Sequence, residues 1–335
     1  MREAELAKAA ETEAAEFRRD DARLRAELGR ILVGQRAALD DLVAAFLAGG
    51  HALLVGVPGT GKTMLVHALA RASGLGFRRI QFTPDLLPAD ILGGETIVAG
   101  PSGEERIEFR PGPIFTPLLL ADEINRGTPR TQSALLEAMQ ERSVTLAGER
   151  HALDPLFTVF ATRNPIEMEG TYPLPEAQRD RFLFEVAIPS PGVAEMAEIV
   201  ERTTGERSDE VELVLSPARI AELRRIVRKV IAPPPALARA ARIVAATGPD
   251  SPEAPALVVE TVRHGGGVRA LQAAVLGAKV RALRAGRLHI ADADLDAALG
   301  PALRHRLVLS LEGEARGVTA EEIIAAARER VGGER

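Results

Sequence analysis

The chain has 335 residues, 46% hydrophobic and 27% charged, with a formal net charge of −5. This is the mix of a globular protein long enough for two domains, and its acidic balance gives no support for general nucleic-acid affinity. There is no cysteine, which excludes disulfides and thiolate metal sites, and neither a signal-type leader nor a membrane-length apolar run, so the expected compartment is the cytoplasm.

Residues 1–30 are rich in Ala, Glu and Arg, with sparse apolar points at Leu6, Phe17, Leu24 and Leu28. They predict a charged helix packed on the main domain. From Ile31 to Pro189, short apolar runs alternate with helical segments, the pattern of an α/β core with a largely parallel sheet. The predicted strands are residues 51–56, 78–82, 117–123, 156–164 and 181–188. Residues 90–116 contain two alternating runs joined by "GPSG", which predicts a β-hairpin. "PSPG" at 189–192 marks the domain boundary. Residues 190–335 then read as a small helical domain with a loop at 249–255. Its basic runs "RRIVRK" (224–229) and "RALRAGR" (281–287) read as solvated helix faces.

Four places carry chemistry. Gly56, Gly61, Lys62 and Thr63 fit G-x-x-x-x-G-K-[ST], the phosphate-binding loop, between a predicted strand and a predicted helix. Glycines let successive N–H groups of the loop Gly56–Met64, with Pro58, Gly59 and Thr60 inside it, point at one anion. The helix N-terminus adds positive potential. Lys62 is expected to reach the outer phosphates of ATP, and Thr63 to ligate Mg²⁺. Next, "LLLADE" ends an apolar strand in Asp122 and Glu123, at the sheet edge where ligands bind in α/β folds. Asp122 suits Mg²⁺, and Glu123 suits activation of the attacking water. Asn164 closes another strand at that edge. It reads either as a turn starter before Pro165 or as an amide that senses the phosphate. Finally, Arg179 and Arg181 precede the last strand. They read either as solvated arginines or as a finger reaching a neighbouring subunit's nucleotide.

The ordered set "GVPGTGKT", "QFTPDLLPADILG", "FRPGPIFTPLLLADEINR", "TQSALLEAMQER", "NPIEMEGTYPLPEAQRDRF" and "PALRHRLVLS" resembles the MoxR family of AAA+ ATPases. The resemblance runs from Ile31 to about Leu311. It implies an AAA+ P-loop core followed by an all-α lid, a ring of usually six subunits, and a hairpin insert at 90–116. It assigns Asn164 to sensor 1, Arg181 to the finger acting in trans, and Arg269 to sensor 2, reaching the γ-phosphate of its own subunit, with Arg263 a nearby competitor. Relatives often carry Gln where Arg163 stands. The implied work is chaperone-like maturation or metal insertion in partner complexes that contain a von Willebrand factor A domain. Other readings of the same engine are a DNA-remodelling motor, a magnesium chelatase-like motor subunit and a weakly hydrolysing regulatory subunit.

Overall fold

The structure is a computed structural model describing residues 2–99, 105–146, 148–166, 170–204 and 210–332. Its centre is a five-stranded parallel sheet in the spatial order Phe77–Gln81, Leu118–Asp122, Thr158–Arg163, Ala52–Val55, Phe184–Ala187. Every strand falls within a few residues of its expected span. Alternation along each strand feeds two cores. Leu118 and Leu120 enter one, with Leu42, Leu65 and Leu69 of the helices Arg36–Ala48 and Lys62–Ala72. Leu119 and Ala121 enter the other, with Leu135, Leu136 and Met139 of the helix Pro129–Glu141.

The first core runs on without a break into the helices that follow the sheet, burying Leu223, Ile243, Leu283 and Leu299. These helices span Pro217–Lys229, Pro234–Ala246, Val268–Arg284 and Asp292–Leu303, and Val193–Thr204 leads into them. Within the helical lid, a short antiparallel ladder joins Val262–His264 to Val308–Leu309. It is too short to carry an alternating signature.

The N-terminal helix Arg2–Gly29 forms as expected and buries Phe17, Leu24 and Leu28. Asp21 lies on the same stripe with no side-chain exposure, paired with Arg25 at 2.8 Å and Arg284 at 3.0 Å. A carboxylate this deep is tolerable only with such partners. The run 281–287 is therefore no solvated face. Arg281 pairs with Asp41 at 2.6 Å and Arg287 with Asp294 at 2.6 Å, so its arginines tie the lid to the rest of the chain and to itself. In the run 224–229, Arg224 stacks on Phe46 while Arg225, Arg228 and Lys229 remain exposed.

Gly93–Ala99 pairs antiparallel with Glu105–Pro111, as the hairpin reading expects; its turn, residues 100–104, lies outside the described residues. A second hairpin, Ser143–Leu146 with Glu149–Ala152, was not expected. Phe109 of the first stacks on His151 of the second at 4.1 Å.

Candidate active site

The strand Ala52–Val55 runs into a loop that opens the helix Lys62–Ala72. Gly59 and Gly61 hold φ of 80° and 81°, the left-handed region that favours glycine. A Cβ on Gly59 would project into open space, so the cradle is free there, whereas one on Gly56 would lie 2.5 Å from the Ile188 carbonyl. Thr60 Oγ1 donates to Val57 O at 2.9 Å. The Lys62 ammonium donates to Gly56 O and Val57 O, both at 2.7 Å, and so closes the loop on itself. Pro58 and Gly59 are exposed at the tip, and Met64 is exposed on the first helical turn.

Asp122 and Glu123 close the strand Leu118–Asp122, which is separated from Ala52–Val55 by Thr158–Arg163, at the same edge. Asp122 is buried. Its Oδ2 lies 3.4 Å from Thr63 Oγ1, and its Oδ1 accepts from Thr162 Oγ1 at 2.6 Å. Thr162 Oγ1 in turn accepts the Glu123 N–H at 2.8 Å, so one hydroxyl sets both acids. Glu123 has φ 54°, a left-handed conformation that costs a non-glycine residue energy and turns the chain out of the strand. Its Oε2 accepts from Gln81 Nε2 at 2.8 Å and Arg126 Nη1 at 2.9 Å. Asn164 is buried at the end of Thr158–Arg163, and its Oδ1 accepts the Ile166 N–H at 3.1 Å. It makes the turn and also stands at the phosphate edge.

The arginines lie elsewhere. Arg179 and Arg181 precede Phe184–Ala187, a strand parallel to Ala52–Val55, and the Leu183 N–H donates to His51 O at 2.8 Å. Their backbone therefore enters at the edge opposite the phosphate loop, across strands about 13 Å long. Each has a buried Nε without a hydrogen-bond partner. Burial, with Arg163 next, pushes the Arg179 guanidinium below its ordinary pKa. Arg269 shares this edge: its Nη1 is 3.4 Å from Asp180 Oδ2, and with Arg181 it lines a pocket that also includes Gly49 and Gly50. Arg269 thus rests beside Asp180, against which the lid packs the start of its helix. Arg263 pairs with Glu176 on the same edge.

One lid residue anchors this segment. Arg306 is almost fully buried. Its Nε donates to Asp180 Oδ1 at 2.7 Å, its Nη2 to Asp180 O at 3.0 Å and Phe182 O at 2.6 Å, and its Nη1 to Leu183 O at 3.1 Å and to Ala302 O.

Residues that sequence reading missed are Arg79, Gln81, Arg126 and Thr162, which hold the two acids, and the stretch 32–35. Leu32 contacts the Gly61 position, and Gly34 has φ 75°. This stretch lines a cleft of about 760 Å³ bounded by the N-terminal helix and by Glu198 and Arg202. The Gly34-Gln35 pair was the available signal. The donor set suits Mg²⁺: one carboxylate and one hydroxyl leave the other positions to phosphate and water. Among the described residues no group of three or more His, Cys, Asp or Glu gathers to hold a metal. No helix among them is long and apolar enough to cross a membrane.

Comparison with known proteins agrees with this geometry. Residues 51–184 match the model of the ATPase family associated with various cellular activities (AAA), and residues 256–327 match the AAA lid domain. The chain is 39% identical to the chaperone MoxR1 of Mycobacterium tuberculosis, over 89% of this chain and 78% of that one. It is 41% identical to the uncharacterized protein YeaC of Bacillus subtilis, over 89% of each, and 32% identical to the protein MoxR of Methylorubrum extorquens, over 86% of this chain and 87% of that one. A crystal structure of a candidate ATPase from Cytophaga hutchinsonii superposes with a TM-score of 0.88 at 34% identity, covering 96% of this chain and 97% of that one.

Proposed function

The chain belongs to the MoxR family of AAA+ ATPases, and from that premise we propose that it hydrolyses Mg²⁺–ATP in a ring and uses the cycle to remodel a partner protein. The observation that carries this reading is the placement of Asp122 Oδ2 3.4 Å from Thr63 Oγ1, with Glu123 the next residue at the same strand end.

The loop N–H groups and Lys62 bind the phosphates, and the cleft beside residues 32–35 takes the base. Thr63 and Asp122 hold Mg²⁺, which when bound neutralises charge on the phosphate oxygens. Glu123 orients a water and accepts its proton as the water oxygen bonds to the γ-phosphorus and ADP departs. Asn164 hydrogen-bonds the same phosphate. Arg181 and Arg269 stand at the opposite edge, so they act on the nucleotide of the next copy, and a head-to-tail contact completes each site. Six copies and a partner with a von Willebrand factor A domain are what the family resemblance implies, and the name of the chaperone MoxR1 supports a chaperone-like task.

The test is Glu123→Gln. It is expected to keep ATP affinity while phosphate release falls at least about 100-fold. Turnover equal to wild type would overturn the mechanism.

A further inference from the structure

Asp122 already holds a cation. Arg79, on the edge strand Phe77–Gln81, donates Nε at 2.9 Å and Nη2 at 2.6 Å to Asp122 Oδ2. This is the oxygen that lies 3.4 Å from Thr63 Oγ1; the other, Oδ1, is taken by Thr162. The guanidinium therefore occupies the oxygen through which Thr63 and Asp122 together would hold a metal. Two cations cannot share that oxygen without strong repulsion.

The surroundings suit an exchange. The Asp122 side chain is 10% exposed and needs a counter-charge, whereas that of Arg79 is 49% exposed. An arginine on the water side can swing out without stranding a charge in the interior. Its resting pose is set by Gln81, whose Oε1 accepts from Arg79 Nη2 at 2.7 Å.

We infer that Arg79 is a stand-in cation: it neutralises Asp122 before the metal arrives, and Mg²⁺ displaces it on binding with nucleotide. The inference rests on the reading of this edge as an Mg²⁺–ATP site. An ordinary ion pair that merely holds the edge strand would not compete with the metal.

The experiment measures the affinity of a fluorescent, non-hydrolysable ATP analogue by anisotropy, once in excess Mg²⁺ and once in EDTA. Wild type, Arg79→Ala, Arg79→Gln and Arg79→Lys are compared, each checked for native far-UV circular dichroism. The ratio of the EDTA Kd to the Mg²⁺ Kd is taken within one protein, so general loss of stability cancels. It is expected to rise about tenfold in Arg79→Ala and Arg79→Gln, one charge-assisted hydrogen bond's worth of competition. Arg79→Lys, which keeps a cation, is expected to restore a ratio near wild type. A ratio that is unchanged or smaller in the neutral variants overturns the inference and leaves the nucleotide site standing. A wild type that binds no analogue under either condition overturns the site reading and the inference with it.

Discussion

His51 joins the sheet to the helix Pro129–Glu141 and gives the fold a defined response to acid. It is buried, with Nε2 3.2 Å from Met139 O and Nδ1 accepting the Val159 N–H at 2.9 Å. These partners select the neutral ring with its proton on Nε2. Burial, with Arg142 and Arg224 nearby, lowers its pKa from the ordinary 6.5 to about 3. The unfolded chain therefore takes up this proton first, and stability is lost as pH falls below 6.5. The loss from this group is about 1.4 kcal/mol by pH 5.5 and about 2.7 kcal/mol by pH 4.5. His51→Asn cannot titrate. It keeps an acceptor for the Val159 N–H and gives up the bond to Met139, at a cost of about 1–3 kcal/mol at pH 7.5. The stability gap between wild type and variant is then expected to narrow by about 1.4 kcal/mol between pH 7.5 and 5.5. His305, buried and likewise held neutral, titrates in both proteins and drops out of the difference. Urea unfolding followed by far-UV circular dichroism is the assay, because the chain has no Trp and one Tyr. A gap that stays constant with pH would refute the argument.

Lys62→Ala removes the ammonium that closes the phosphate loop, and nucleotide affinity measured by anisotropy is expected to fall at least about 100-fold; wild-type affinity would take Lys62 out of the site. Arg181→Ala is expected to keep nucleotide affinity and lower kcat about 1,000-fold. Mixing it with Glu123→Gln subunits should restore part of the activity, and no recovery would point to Arg179 or to an arginine acting within its own subunit. Gly56→Ala would press a Cβ to 2.5 Å from Ile188 O. Its expected cost is about 2 kcal/mol of stability, read as a lower melting temperature, and an unchanged Tm would mean that the adjoining backbone yields.

The phosphate loop was legible because its chemistry depends on local backbone: Gly59 and Gly61 need positive φ, and Lys62 and Thr63 follow at fixed spacing. The acids were legible because a fully buried strand, Leu118–Asp122, must end where its first charge appears. The seat of Arg269 was not legible because it depends on how the lid packs against Asp180, a contact 89 residues distant in sequence that no local pattern encodes. Arg79 sat unread inside "RRIQF", where an edge strand with two exposed arginines looks like protection against edge pairing. The hairpin 143–152 escaped because each of its strands has only four residues.

Arg306 has a consequence for how a ring of these chains would behave. All three guanidinium nitrogens are committed to the backbone and side chain around residues 180–183 and to Ala302. The lid and the segment bearing Arg181 are thereby one lever, and any tilt of the lid is delivered at the edge away from the chain's own phosphates. In a head-to-tail ring that output has a single recipient, the next subunit, and none on the side it came from. Information would then circulate in one rotational sense, and a subunit whose lid is uncoupled would silence its downstream neighbour while still obeying the one behind it.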